Sequence, residues 1–149
     1  MTTSTVSASI ATAAAPLAVA YLRSATHDEA RLGRQRARVL ARARACGRRI
    51  SSDCMFQDRA RSGGGEAATR PQLLALLTYC EAHPQPASSS GTVYVTDYCR
   101  LSRSPDRKVL FTILARLAAV GWRVETCEIR PGELVPPDWS ERLLAARWG

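Results

Sequence analysis

Apolar and polar positions alternate along the chain between short hydrophobic runs and longer stretches with helical spacing. Residues 17–22 form an unbroken apolar run that ends at Arg23, which is typical of a strand buried on both faces of a parallel sheet. Residues 28–46 follow with apolar side chains three or four positions apart, a spacing that predicts an amphipathic helix. Gly47 stands where such a helix ends, because glycine readily adopts the left-handed backbone of a C-terminal cap.

The same alternation continues to the end of the chain. The remaining predicted strands are at 49–58, 92–99 and 122–129. Three more helices are predicted: one at 71–83, one that follows the N-cap signature Ser104-Pro105-Asp106, and one at 138–148. Thr69 is the predicted N-cap of the second helix, and Gly121 is the predicted C-cap glycine of the third. Strands that alternate with helices imply right-handed βαβ units. We therefore expect an α/β fold of three layers, in which helices flank a mostly parallel four-stranded sheet.

Composition divides the chain into three parts. Residues 1–15 are rich in serine, threonine and alanine and are expected to form a flexible leader. Residues 16–130 are expected to form one domain, since a chain of 149 residues can bury a core of ordinary size. Residues 131–149 are predicted to be a linker followed by the short amphipathic helix.

The net charge of +8 favours an anionic partner. Nearly all the positive charge is arginine, with Lys108 as the only lysine. Coding bias in a GC-rich genome and bidentate phosphate recognition both account for this excess. On the first predicted helix a solvated face is the preferred interpretation, and contact with a nucleic-acid backbone is the alternative. The arginines of that face are Arg31, Arg34, Arg36, Arg38, Arg42 and Arg44.

Several classes of protein are disfavoured by the same sequence. Five cysteines occur without a C-x-x-C pair, so neither a zinc site nor a disulfide framework is expected. The glycine-rich residues 59–69 lack the G-K-[ST] ending of a phosphate-binding loop and are predicted to form a surface loop. No apolar run is long enough to cross a bilayer. We expect a cytoplasmic protein with no metal, cofactor or membrane partner.

Charged residues recur where the predicted strands end and the helices begin. They are Arg23, Asp58, Arg70, Arg100 and Arg103. Ligand sites of parallel sheets lie at the carboxyl ends of the strands, so these side chains and two helix N-termini are expected to meet as a phosphate site. Asp58 is assigned to orienting an arginine or to proton transfer. The alternative is that the arginines are separate surface groups.

A series of short motifs passes through these positions. They are Tyr21-Leu22-Arg23-Ser24-Ala25-Thr26, Gln35, Asp58 with Ser62-Gly63, Arg70-Pro71 and Arg100-Leu101-Ser102-Arg103-Ser104. In this order and spacing they resemble the catalytic domain of resolvase/invertase-type serine recombinases, over residues 17–129. The resemblance implies serine attack on a DNA phosphodiester, which leaves a 5′-phosphoserine link. It implies that four arginines surround the scissile phosphate and stabilise its charge, namely Arg23, Arg70, Arg100 and Arg103. It also matches Asp58 to an acidic residue of the family and Gln35 to a structural glutamine.

The chain departs from this family pattern at the nucleophile. The family has Tyr-x-Arg-x-Ser-Thr, and its serine position is Ala25 here, while Ser24 comes one residue early. Successive side chains of an extended strand point to opposite faces, so Ser24 is expected to point away from Arg23. Cys99 also stands where the family has an aspartate. The phosphate site is therefore predicted to be retained and the nucleophile lost.

Three functions stay open at this point. The first is a non-cleaving domain that binds DNA backbone weakly or modulates a recombinase partner. The second is an active site-specific recombinase that uses Ser24 through a local bulge, with Thr26 as a more remote candidate. The third is a protein-interaction module that retains only the fold. The tryptophans of the predicted helix at 138–148 allow a homo-oligomer or packing on the core, and no attached sequence-specific DNA reader is expected.

Overall fold

Alternating strands and helices build the described part of the chain, as the hydrophobic pattern predicts. The computed structural model describes residues 17–24, 29–59, 70–86, 88–101 and 108–127, with only the backbone of Arg59 and Cys99. In chain order the elements are β1 Ala18–Ser24, α1 Glu29–Ala45, β2 Met55–Arg59, α2 Pro71–Ala82, β3 Gly91–Val95, α3 Lys108–Ala119 and β4 Trp122–Thr126. Among these residues, no helix combines the length and the apolar character that crossing a membrane requires.

The four described strands form one sheet in the order β2-β1-β3-β4, and every neighbouring pair is parallel. β1 lies in the interior, as its unbroken apolar run predicts, and all seven of its residues are buried. Its pairing with β2 continues to the last residue of the strand, where Ser24 lies opposite Arg59. Its pairing with β3 ends earlier, at Ala20 opposite Tyr94. The carboxyl end of β1 therefore extends beyond its contact with β3.

Helices cover both faces of the sheet, which confirms the three-layer α/β fold. Alternate β1 side chains divide between two cores because successive residues of a strand point to opposite faces. Ala18, Ala20 and Leu22 pack against α1. Val19 and Tyr21 pack into the larger core beneath α2 and α3. The face to which each β1 residue belongs follows from this alternation.

The predicted ends of the helices at 28–46 and 71–83 agree with the structure to within about one residue. Gly47 at φ 73° and Gly121 at φ 84° follow α1 and α3, in the left-handed conformation that a helix C-cap favours. The predicted N-cap of α2 is wrong. Arg70, rather than Thr69, occupies that position, and its side chain makes no capping hydrogen bond.

Two of the predicted strands are shorter than the pattern suggests, because each gives way to a 3-10 turn. The first half of the stretch at 49–58 is not a strand: Ser52–Cys54 forms a turn of exposed and half-exposed residues. The strand prediction for the second half of the stretch at 92–99 is also wrong, since Tyr98–Arg100 forms a turn. There the Leu101 N–H donates to the Tyr98 carbonyl at 3.0 Å. Both side chains are buried, so the turn directs two apolar residues into one core.

The remaining predictions fall on residues outside the described ranges. These are the leader at 1–15, most of the loop at 59–69, the N-cap signature at 104–106, the end of the fourth strand at 128–129, and the linker and helix at 131–149.

Candidate functional site

The carboxyl end of β1 is held by a side chain from α1. Beyond the pairing with β3, the Arg23 N–H donates to Gln35 Oε1 at 3.2 Å, and Gln35 Nε2 donates to the Arg23 carbonyl at 2.9 Å. Gln35 is buried. Its amide thus provides both hydrogen bonds that an adjacent strand would make. This contact fixes α1 against the strand end, in agreement with the structural role that the resemblance implies for Gln35.

Two buried arginines converge on the backbone of a third, Arg100, in the turn that follows β3. Arg23 Nε and Arg70 Nη1 each lie 3.1 Å from the carbonyl oxygen of Arg100 and donate to it. Arg23 and Arg70 are fully buried, whereas Arg100 keeps 18% of its side chain exposed. We refer to Arg23, Arg70 and Arg100 as the arginine cluster. The Arg100 carbonyl therefore binds guanidinium groups from two distant segments of the chain, and Arg100 itself belongs to a third.

Asp97 is a member of the site that the sequence analysis missed. It is buried, and its Oδ2 lies 3.6 Å from Arg100 Nε. The same Nε donates to Thr96 Oγ1 at 3.2 Å, and Arg100 Nη1 lies 3.4 Å from the Arg23 carbonyl. The available signal was an acid three residues before Arg100, the spacing that a single turn brings together. The predicted strand at 92–99 concealed this contact, since a strand separates such residues.

Asp58 binds the first turn of α2. Its Oδ1 accepts the Gln72 N–H at 3.1 Å, and its Oδ2 accepts the Leu73 N–H at 3.1 Å and the Tyr21 hydroxyl at 2.7 Å. The carboxylate thus caps α2 from the neighbouring strand, which explains why the Arg70 side chain need not. Its predicted role in orienting an arginine or in proton transfer stays a prediction.

The first turn of α2 is consequently unsuited to a phosphate. Pro71 has no N–H, the next two N–H groups donate to Asp58, and the Leu74 N–H donates to the Arg70 carbonyl at 3.1 Å. The expectation that this helix N-terminus contributes to a phosphate site is therefore wrong, because its donors are already bound. The residues that precede α3, at the second helix N-terminus of this expectation, lie outside the described residues.

Tyr21 lies between opposite charges. Burial raises the pKa of the Tyr21 hydroxyl well above its usual value, and the hydrogen bond to Asp58 and the charge of that carboxylate raise it further. The Arg70 and Arg23 charges act in the opposite direction. The hydroxyl therefore stays protonated as the donor to Asp58.

Ser24 lies on the other face of the sheet from the cluster. β1 remains extended and paired through Ser24, so no bulge in the described strand turns its side chain. Arg23 belongs to the α2 and α3 side, and Ser24 belongs with Leu22 to the α1 side. Ser24 is buried there. Ala25, Thr26 and Arg103 lie outside the described residues.

The sequence from β1 onwards matches a known protein family. Residues 18–141 match the family described as "Resolvase, N terminal domain". The chain belongs to this resolvase family. The resolvase-family fold is also similar to the crystal structure of the C-terminal catalytic domain of IS1535 TnpA, described as an IS607-like serine recombinase. That comparison has a TM-score of 0.55 and 22% sequence identity, and it covers 89% of this chain and 96% of the other. No curated protein matches the sequence.

In this resolvase-family domain, four of the predicted site residues lie at one edge of the sheet. Arg23 and Arg70 both donate to the Arg100 carbonyl, and Asp58 is the strand partner of Arg23. Their catalytic roles stay predictions. Three arginines thus lie beside two buried carboxylates, Asp58 and Asp97, and Arg100 is the partly exposed member of the cluster.

Proposed function

We propose that this resolvase-family domain binds the phosphate backbone of DNA at the arginine cluster and does not cleave the strand. The proposal combines the family with the chemistry of the cluster. Guanidinium groups bind phosphate through charge-assisted, often bidentate hydrogen bonds. Arg100 is the partly exposed member of the cluster, so it is the side chain through which a phosphate reaches the site.

One observation carries the claim that cleavage is absent. Ser24 is the last residue of a strand that stays extended and paired, so its hydroxyl belongs to the sheet face opposite Arg23. Attack on phosphorus needs a nucleophile within reach of the phosphate that the arginines bind. The family nucleophile position is Ala25, whose methyl group has no lone pair. Neither Ser24 nor the family nucleophile position therefore offers the bound phosphate an attacking oxygen.

The internal contacts of Arg100 favour a second candidate function. Its Nε lies 3.6 Å from the Asp97 carboxylate, and its carbonyl receives hydrogen bonds from Arg23 and Arg70. A cluster stabilised in this way also suits a protein-interaction module that retains the fold. In that case a recombinase partner or a second copy of the chain, rather than DNA, is the binding partner.

Binding of duplex DNA by variants of the full chain distinguishes the two functions. Arg100→Gln removes the partly exposed charge of the cluster and is expected to weaken binding about tenfold, the effect of losing one charge-assisted hydrogen bond. The matched control is Arg116→Gln, which removes a charge that pairs with Glu81 on the surface. Fluorescence anisotropy with a labelled duplex measures both. Equal affinity of Arg100→Gln and the unaltered chain would contradict the proposal and favour the interaction module.

A further inference from the structure

The positive charge of this protein is concentrated in one segment. Residues 29–50, which comprise α1 and the turn after it, hold eight arginines and a single acid, Glu29. The whole chain has 21 basic and 13 acidic residues, so everything outside this segment carries thirteen basic and twelve acidic residues and is nearly neutral. The electrostatic field of the protein therefore originates mainly from α1.

The α1 arginines are exposed and form two rows along the helix. Helical spacing places on one flank Arg31, Arg34, Arg38 and Arg42, and on the other flank Arg36 and Arg44. All six are exposed. The outward surface between the rows consists of small, exposed residues, namely Ala30, Gly33, Ala37 and Ala41. We call the two rows together the α1 arginine surface.

Contacts with neighbouring strands hold several arginines of this segment in place, two of them through neutral groups. Arg36 Nη2 donates to the Gln57 side-chain oxygen at 3.3 Å. After the helix, Arg48 Nη1 donates to Thr92 Oγ1 at 3.0 Å. Arg42 pairs with Glu125 at 2.7 Å but keeps 45% of its side chain exposed. The surface is thus partly ordered and remains strongly positive.

The dimensions of α1 match those of a DNA groove. A helix of 17 residues is about 25 Å long, and a helix with its side chains is about 10–12 Å across. The major groove of B-DNA is about 12 Å wide and lies between two phosphate backbones. Two arginine rows on opposite flanks of one helix can reach both backbones, and the small residues between them permit a close approach.

We propose that α1 docks along the major groove of duplex DNA, with each arginine row against one phosphate backbone. The inference deepens the proposed function and rests on its DNA binding, though not on the arginine cluster, since it names a second DNA surface of the same domain. The residues between the rows carry no polar side chain that could read base edges. Docking is therefore independent of sequence, and it supplies most of the salt-dependent affinity.

The position of α1 connects this surface to the arginine cluster. Gln35, on the buried side of α1, binds both backbone groups of Arg23. The start of α1 and the cluster therefore lie at the same edge of the sheet. A duplex that follows α1 beyond its first turn therefore approaches this edge of the sheet.

Charge variants test the inference on the full chain. In the triple variant Arg34→Gln, Arg36→Gln and Arg44→Gln, the slope of log affinity against log salt concentration should fall by about 3, one unit for each lost phosphate contact. The matched control, Lys108→Gln with Arg116→Gln and Arg123→Gln, changes the net charge equally and should leave the slope unchanged. Far-UV circular dichroism checks that both variants fold.

Volume variants test the groove geometry without changing charge. Ala37→Gln with Ala41→Gln enlarges the surface between the rows and should weaken duplex binding at least tenfold. The matched control is Ala115→Gln with Ala119→Gln on α3, where both alanines are exposed, and it should bind as the unaltered chain does.

The outcomes separate this inference from the proposed function. An unchanged salt slope in the triple variant, together with weaker binding by Arg100→Gln, would overturn docking by α1 and leave the proposed function in place. A lower slope with undiminished binding by Ala37→Gln/Ala41→Gln would overturn groove docking, because charge without close approach then accounts for the affinity. Normal binding by Arg100→Gln with a lower slope in the triple variant would contradict the cluster proposal and support the α1 surface.

Discussion

Asp58 joins three elements of the fold through one buried carboxylate. It lies on β2, accepts a hydrogen bond from Tyr21 on β1, and binds two N–H groups of α2. Arg70 immediately precedes α2, so the capping of that helix also fixes the backbone from which the Arg70 side chain reaches the cluster. Asp58 is therefore expected to be a stability determinant that the arginine cluster depends on.

Asp58→Asn tests this anchoring role. The amide keeps one oxygen acceptor but turns an NH2 group toward a hydroxyl or a backbone N–H, so a buried donor loses its partner. We expect the free energy of unfolding to fall by about 2 kcal/mol. Urea denaturation followed by circular dichroism measures it, with Asp53→Asn as the control because Asp53 is exposed. Equal stability of the two variants would refute the anchoring role.

The convergence of the arginines could be anticipated from the sequence, but the geometry of their contacts could not. Arg23, Arg70 and Arg100 follow strands or precede a helix, and parallel topology brings such positions to one edge. Arg23 and Arg70 bind a backbone carbonyl. Every residue has such a carbonyl, so the sequence does not indicate which one they bind. Asp97 reaches Arg100 only because the chain turns after β3.

At the scale of elements, α1 contains a glycine that the fold itself does not require. Gly33 is an exposed residue inside the helix, and a Cβ added there meets no atom within 4 Å. Glycine inside a helix is unfavourable because its unfolded backbone has greater conformational freedom.

Gly33→Ala is therefore expected to raise the free energy of unfolding by about 0.5–1 kcal/mol. Gly121→Ala should do the opposite, since Gly121 has φ 84° and a Cβ there overlaps the Gln85 backbone. Thermal melts of both variants measure the two effects. A destabilised Gly33→Ala would mean that α1 packs more closely along that side than the structure indicates.

The main helices and the buried strands could be predicted from the spacing of their apolar residues. That spacing is three or four positions in a helix, whereas a strand has an unbroken or alternating apolar run. The 3-10 turns at Ser52–Cys54 and Tyr98–Arg100 could not be predicted. A turn of three residues is too short to establish a period, and Tyr98 reads equally well as the continuation of an alternating strand. These turns are the places where the strand predictions fail.

At the scale of the whole molecule, buried groups with raised pKa values make stability depend on pH. Burial raises the pKa of Tyr21 and of the Cys80 thiol well above their usual values, and it raises the pKa of Tyr94 to about 12. In the unfolded chain such groups ionise between about pH 8.5 and 10. Within and above that range the folded state binds more protons than the unfolded state, so stability falls as the pH rises.

We expect the free energy of unfolding to be steady between about pH 7 and 8 and to decline above about pH 9, by up to about 1.4 kcal/mol per pH unit for each such group. Urea denaturation at a series of pH values measures the profile. Tyr21→Phe should decline less steeply from a lower starting value, because it removes one ionising group and the hydrogen bond to Asp58. A level profile up to pH 11 would contradict the burial of these groups.

The central proposal is that this resolvase-family domain binds phosphate at the arginine cluster and lacks a nucleophile at the family position, where Ala25 stands. Covalent protein–DNA adducts on supercoiled plasmid, resolved on a denaturing gel, test it most directly. The unaltered chain should form none, and Ala25→Ser, which restores a hydroxyl at the family position, should form an adduct that persists when Ser24→Ala is added. An adduct formed by the unaltered chain and lost in Ser24→Ala would contradict the account.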